Sequence, residues 1–313
     1  MTSNSSLAPP TGSLWRGVLV AITTPFDREL EVDRSALRAH AAWLVERGVQ
    51  AIVAGGSLGE GSALSFPERL VLVQELVDGL SGRAPVIASV AASRTSDAVA
   101  LARGAEAAGA RGLLVLPPYV YRTDPRETFS HFHEVLGATS LPCMLYNNPS
   151  AYGTDVLPEQ ILRLAEDHPG LTAVKESSGD VRRITAIRSL LGERLEVAVG
   201  LDDVILEGVR AGAVGWVAGL ANAFPDASVE LFERARRGES RSANELYRWF
   251  LPLLRLDTTT KFVQQIKLVQ SEVGRGSTRV RPPRLELEGN ELIEVRAILR
   301  AALAHPPPGV RLD

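Results

Sequence analysis

The chain has 313 residues, 45% of them hydrophobic, a single cysteine and a formal net charge of −3 at pH 7. That length and apolar content suit one large domain or two with a substantial buried core, and the near-balanced charge argues against a nucleic-acid footprint or a polybasic membrane surface. Cys143, alone inside the apolar run "LPCMLY", leaves no partner for an intrachain disulfide and reads as a packed core thiol in a reducing compartment.

Residues 1–13, "MTSNSSLAPPTGS", are polar and rich in Pro and Gly, without the basic start and apolar stretch of a secretory signal, and read as a loose tail. No apolar run approaches the roughly 20 residues needed to cross a bilayer, so a soluble cytoplasmic protein is expected. From Gly17 onward, short apolar runs alternate with amphipathic segments: "VLVAIT" from Val18, "AIVA" from Ala51, "PVIASV" from Pro85, "GLLVL" from Gly112, "CMLYN" from Cys143, "LTAVKE" from Leu171, "LEVAVG" from Leu195 and "VGWVAG" from Val214. Between the first two lies "DRSALRAHAAWLVERG", with Asp33 placed to cap a helix and Gly48 to end it. Four phrases, "ERGVQAI", "EAAGARGLL", "EDHPGLTAV" and "RAGAVGWV", read as helix ends turning into strands, with glycine supplying positive φ.

Eight such alternations without a long linker predict an α/β fold, a closed (β/α)8 TIM barrel over residues 14–223. An open doubly wound sheet would need a switch point, and no glycine fingerprint follows the first run. Residues 224–305 carry the last barrel helix and a C-terminal helical extension, in "DASVELFERARRG", "SANELYRWFLPLLRL" and "TKFVQQIKLVQSEVG"; residues 306–313 read as a second tail.

In such a barrel the chemistry belongs at the carboxyl ends of the strands. Polar residues gather there in "AGGSLGEGS", "YNNPSAYG", "KESSG" and "AGLANAFP". The third holds the informative residue. Of the 34 lysines and arginines only Lys175, Lys261 and Lys267 are lysine, so the ammonium at the end of a buried strand does something a guanidinium cannot. Arginine keeps its proton near neutral pH; a desolvated lysine loses it and becomes a nucleophile able to form a Schiff base with a ketone. Glu176, the next residue along the strand, points to the other face and is not its partner. The protonated imine acidifies the neighbouring carbon, which is the chemistry of aldolases, dehydratases and decarboxylases acting on 2-oxo acids. Tyr146 reads either as a core aromatic or as a proton shuttle. Ser57 either shapes a glycine-flanked turn or helps an anion nest hold a carboxylate. His131 and His133, two apart on a helix, have the wrong spacing for a shared ligand face and read as surface residues. Neither a metal site nor a phosphate loop nor a Ser-His-Asp order suggests itself, and no cofactor is expected.

The motifs "TPFD", "GGSLGE", "LPPYVY", "YNNP", "VKESSGD" and "GAVGWVAG", in that order, resemble the dihydrodipicolinate synthase and N-acetylneuraminate lyase family of class I aldolases. The resemblance runs from about Gly17 to Leu303. It implies a homotetramer built as a dimer of dimers, and a small 2-oxo acid or cyclic imino acid as substrate, with neither nucleic acid nor membrane as partner. By motif position, Lys175 corresponds to the Schiff-base lysine and Tyr146 to the proton relay. Ser57 and the Leu58 amide, with Gly56, correspond to the carboxylate cradle, and Val217 and Gly219 to substrate-lining positions.

Three departures bear on the substrate. Ser57 and Leu58 stand where synthases typically carry two threonines. Val120, flanked by Tyr119 and Tyr121, replaces the tyrosine supplied by a neighbouring subunit. Ala151 falls at the arginine that holds a second carboxylate, which removes a bidentate clamp. The phrases "VYRTDPRETFSHF", "YNNPSAYG", "VKESSGDVRRIT", "GWVAGLANAFP" and "YRWFLPLLRLD" resemble the 1-pyrroline-4-hydroxy-2-carboxylate deaminases of bacterial hydroxyproline breakdown, which implies a cyclic imine with one carboxylate as substrate. A 4-hydroxy-tetrahydrodipicolinate synthase-like condensation stays open, as does aldol cleavage or dehydration of a 2-oxo-3-deoxy sugar acid, although "SAYG" and "LANAF" offer few groups for a polyhydroxylated chain. A non-catalytic 2-oxo acid-binding member would be free to lose Lys175 or Tyr146, and both are present.

Overall fold

All eight apolar runs form strands in the computed structural model, which describes residues 13–118 and 121–307. They are β1 (Gly17–Ala21), β2 (Ala51–Ala54), β3 (Val86–Val90), β4 (Gly112–Val115), β5 (Cys143–Asn147), β6 (Leu171–Glu176), β7 (Glu196–Val199) and β8 (Gly215–Ala218). Each pairs in parallel with the next, and β8 returns to β1 in the register Gly17↔Gly215 to Val20↔Ala218, closing the barrel. Strand alternation sorts the side chains into two apolar sets. Leu19, Val53, Ile87, Leu114, Met144 and Ala173 fill the barrel interior, while the intervening residues, such as Val18, Val20 and Ile52, pack outward against the helices.

The helices are α1 (Arg34–Glu46), α2 (Phe66–Leu80), α3 (Thr95–Ala107), α4 (Pro125–Leu136), the single turn α5 (Pro149–Tyr152), α6 (Pro158–Asp167), α7 (Arg182–Leu191), α8 (Ile205–Arg210), α9 (Pro225–Arg236), α10 (Ser240–Leu254), α11 (Phe262–Glu272) and α12 (Gly289–Ala304). Asp33 caps α1 by accepting from the Ala36 N–H at 2.9 Å, as its position predicts. Gly48, Gly109 and Gly212 take positive φ at three of the four expected turns. Gly170 does not. At the end of α6, His168 becomes extended and Pro169 makes the turn, so no left-handed residue is required there. No helix among the described residues is long and apolar enough to cross a membrane.

His131 is a correction to the sequence reading. It is buried, with Nδ1 at 3.1 Å from Thr95 Oγ1 and Nε2 at 3.2 Å from the Leu116 carbonyl, because it lies on the face of α4 that packs toward the barrel. His133 is half-buried against His168. Cys143 is buried as expected, its thiol donating to the Leu141 carbonyl at 3.3 Å and pushed up by burial to a pKa of about 12.

The C-terminal helices do more than cover the barrel. Between α10 and α11 a 3-10 turn, Arg255–Thr258, packs against another, Asp202–Val204, at the carboxyl end of β7. From α11, Lys267 reaches the fully buried Glu60 in the loop after β2 and also donates to the Arg279 carbonyl at 2.7 Å. The second oxygen of Glu60 accepts from the Arg281 N–H at 3.0 Å. The Lys267 ammonium lies 4.4 Å from the centroid of the Phe26 ring, and burial lowers its pKa to about 8. Removing one member of a buried pair strands the other charge, at a cost of about 3–5 kcal/mol. Lys267→Ala is expected to lose stability of that order in urea-induced unfolding followed by circular dichroism; an unfolding midpoint equal to that of the parent would show that the pair does not hold the loop.

Candidate active site

Lys175 follows Ala173 on β6 by two residues and therefore continues the inward face of the strand. Its register partner on β5 is Tyr146, which likewise follows the inward-facing Met144. The Lys175 Nζ atom sits 4.0 Å from the centroid of the Tyr146 ring. Glu176 turns outward, accepting from Asn147 Nδ2 at 3.1 Å and from the Ser178 N–H at 2.6 Å, so it is no partner for the lysine. Burial lowers the Lys175 pKa, opposed by the fields of Tyr152, Asp257 and Asp202. The barrel thus favours the neutral amine.

Room for that amine comes from the ends of two strands. A Cβ added at Gly200 would lie 2.6 Å from Lys175 Cε and 2.0 Å from Ser177 Oγ. A Cβ at Gly219 would lie 2.1 Å from Asp257 Oδ1. Both glycines continue inward-facing alternations, after Ala198 on β7 and Val217 on β8. The Gly219 amide does not face the cavity as a free donor. It donates to Asp202, which also accepts from Trp216 Nε1 at 2.9 Å and from the Leu220 N–H at 2.7 Å.

The Tyr146 hydroxyl accepts from Asn148 Nδ2 at 3.2 Å, so its own proton is directed elsewhere. Burial pushes the phenol pKa up, countered by Asn148 and by the hydroxyls of Ser177 and Tyr152 beside it. Tyr152, on α5, packs its ring edge-on to Tyr146 with centroids 5.6 Å apart, and its hydroxyl is hydrogen-bonded to Ser57 Oγ. Tyr152 therefore stands between Ser57 and Tyr146 in a line of three hydroxyls. Among the described residues no backbone carbonyl takes the N–H of Ser57 or Leu58, which leaves both available to an anion.

These groups open onto one cavity of about 680 Å³. Every site residue predicted from the sequence lines it: Gly56, Ser57, Leu58, Tyr146, Lys175, Val217 and Gly219. Ala151 lines it too. Tyr119 and Val120 lie outside the described residues, and Tyr121 is exposed. The sequence reading missed Tyr152, Asp257, Thr258, Thr259, Thr260 and Arg284. Tyr152 was within reach of a local argument, since "YNNPSAYG" places it on the same short loop as Tyr146. The others come from the C-terminal extension, and they make the cavity mouth more polar than "SAYG" and "LANAF" suggest.

Residues 14–302 match the Dihydrodipicolinate synthetase family. The chain belongs to that family. Members are class I aldolase-type Schiff-base enzymes. The 4-hydroxy-tetrahydrodipicolinate synthase of Caldicellulosiruptor bescii is 36% identical over 243 residues, spanning 78% of this chain and 82% of that protein. The crystal structure of a putative dihydrodipicolinate synthetase from Pseudomonas aeruginosa is 32% identical with a TM-score of 0.87, covering 92% of this chain and 99% of that one. A dihydrodipicolinate synthase from Acinetobacter baumannii, solved as a chloride-inhibited complex with pyruvate, is 30% identical with a TM-score of 0.87, over 92% and 98% of the two chains.

For this family member the glycine at the end of β7 gives a direct test of the geometry. Gly200→Ala is expected to push the Lys175 side chain off its path and to cut borohydride-trapped pyruvate adduct at least about 10-fold, with an overpacking cost of about 1–3 kcal/mol. Adduct at the parental level would mean that the lysine does not need that space. Imine formation needs the neutral amine, so its rate should rise with pH through the lowered Lys175 pKa and level off below the 10.5 of an ordinary lysine; a limb still climbing at that pH would contradict desolvation.

Proposed function

We propose that this protein is a Schiff-base deaminase that opens 1-pyrroline-4-hydroxy-2-carboxylate to 2,5-dioxopentanoate and ammonia. The observation that carries the chemistry is the buried amine of Lys175 beside Tyr146, inside a cavity with one carboxylate cradle at Ser57 and Leu58. Alanine at position 151 favours a substrate with a single carboxylate. Lys175 attacks C2, and the ring C2–N bond breaks, leaving the nitrogen as an amine on C5. Tyr146 gives its proton to the departing ring nitrogen and, as the phenolate, then takes the C3 proton while the C3–H electron pair forms an enamine. Its collapse expels the 4-hydroxyl as water. The C5 amine then isomerises to an imine, and hydrolysis at C5 and at Lys175 releases ammonia, the aldehyde and the free enzyme. One water leaves and two enter, so the reaction balances without an oxidant or reductant.

A second reading, 4-hydroxy-tetrahydrodipicolinate synthase, has two observations in its favour: the names of the relatives, and Arg284 at the cavity, which offers a guanidinium from a different part of the chain. Arg284 lies 4.0 Å from Glu60, at the far end of the pair with Lys267.

Two assays separate the readings. Supplied with the pyrroline, the enzyme is expected to release ammonia and 2,5-dioxopentanoate in equal amounts; Tyr146→Phe should still give the borohydride adduct on the Lys175 peptide yet lose about 10²- to 10⁴-fold in turnover. Supplied with pyruvate and aspartate semialdehyde, it should condense them orders of magnitude more slowly than a typical enzyme at about 10 turnovers per second. Brisk condensation that Arg284→Ala abolishes would instead establish the synthase.

A further inference from the structure

Asp257 is a half-buried acid lining the cavity for which the preceding mechanism has no use. It comes from the 3-10 turn between α10 and α11, lines the same cavity as Lys175 and Tyr146, and sits over Gly219 so closely that no side chain fits beneath it. Its Oδ1 is buried without a hydrogen-bond partner among the described residues. The contrast with Asp202 is informative, because the two carboxyls flank the same glycine. Asp202 accepts from an indole N–H and two backbone N–H groups, all supplied by β8 and the turn after it. Donors of this kind suit an ionised carboxylate. A buried carboxylate oxygen without a donor is expensive, whereas a carboxylic acid can itself donate to whatever occupies the cavity.

We propose that Asp257 is the acid that protonates the 4-hydroxyl of the substrate as it leaves. This rests on the Schiff-base reading of Lys175 and deepens it by assigning the elimination step. In that step the enamine pair, held between C2 and C3 after loss of the C3 proton, moves to C3–C4. The C4–O bond breaks, and the Asp257 proton joins the departing oxygen to make water. The imine re-forms at C2, and Asp257 is left ionised until solvent returns its proton.

Burial and the neighbouring Asp202 both raise the Asp257 pKa, only partly opposed by Lys175, and Asp203 adds a further negative charge from the turn after β7. Two carboxyls this close do not ionise together readily, and the one without donors keeps the proton. The direction matters for the reaction class. Cleavage of a C3–C4 bond requires a base at the 4-hydroxyl, whereas loss of that hydroxyl requires an acid. An Asp257 held neutral selects elimination over retro-aldol cleavage.

The test separates early from late chemistry. Deuterium exchange into the methyl group of pyruvate needs Lys175 and the proton relay but no leaving group, so Asp257→Asn, near in shape and without a transferable proton, should lose far less exchange than elimination. Release of water from the pyrroline should fall about 10²- to 10⁴-fold. A 4-chloro analogue, whose leaving group departs without a proton, should recover most of that loss. Asp257→Ser, which also lacks the acid and fills less space over Gly219, serves as the second variant. Equal loss of exchange and elimination, or no loss of elimination, would overturn the assignment. Failure of the wider reading looks different: a parent enzyme inert to the pyrroline but dehydrating a linear 3-deoxy-2-oxo acid loses the deaminase assignment, and Asp257 is then judged by the same variants on that acid. A parent enzyme that only cleaves the linear acid, or releases no hydroxyl from either compound, overturns Asp257 as the acid.

Discussion

Desolvation of one amine organises the carboxyl end of this barrel. An ammonium at Lys175 would sit among the rings and aliphatic groups of the interior strands, where burial outweighs the opposing fields of Tyr152, Asp257 and Asp202. The surroundings favour the neutral amine beside the Tyr146 phenol. Gly200 and Gly219 are glycine because space is needed on two sides, for the lysine stem and for a carboxyl. Asp202 has its own donors and so does not need the lysine as a partner. Each of these features would be pointless around a solvated lysine.

The other half of the site is held by a second buried charge. The loop carrying Gly56, Ser57 and Leu58 is bent tightly enough that a Cβ at Gly61 would lie 2.0 Å from the Gly55 carbonyl, and Glu60 within it adopts left-handed backbone at φ 54°. Such a turn needs an anchor to persist. Lys267, the Arg281 amide and the Arg281 guanidinium, which donates to the Ala63 carbonyl at 3.1 Å, supply it. The loop is therefore positioned by α11 and the segment after it, and the hydroxyl line from Ser57 through Tyr152 to Tyr146 depends on that positioning.

The architecture was legible because each strand is a short apolar run bounded by turn residues, and because strand alternation carries the same information in eight places. Lys175 was legible for a rarer reason: in a chain that otherwise chooses arginine, a lysine at a buried strand end is a chemical choice. Asp257 had no such signal. Its phrase, "RLDTTT", reads as the end of an amphipathic helix, and only the packing of that turn against the one after β7 brings the carboxyl to the cavity. His131 misled for the opposite reason. A polar residue on an amphipathic helix reads as solvated, yet Thr95 and the Leu116 carbonyl satisfy both ring nitrogens where α4 meets the barrel. Lys267 was passed over in the same way, since its charged partner, Glu60, lies in a loop far away in sequence.

Barrel closure and completion of the site are separate events along the chain. β8 ends at Ala218 and pairs with β1, so nothing later in sequence is needed to close the ring of strands. Asp257, Lys267, Arg281 and Arg284 all follow. A ring of strands without these segments would have neither the carboxyl over Gly219 nor the Lys267 ammonium for Glu60. The cradle loop then has reason to stay hydrated and open, and the reactive lysine faces an unfinished pocket. The segments after β8 thus decide whether a closed ring of strands also carries a finished site.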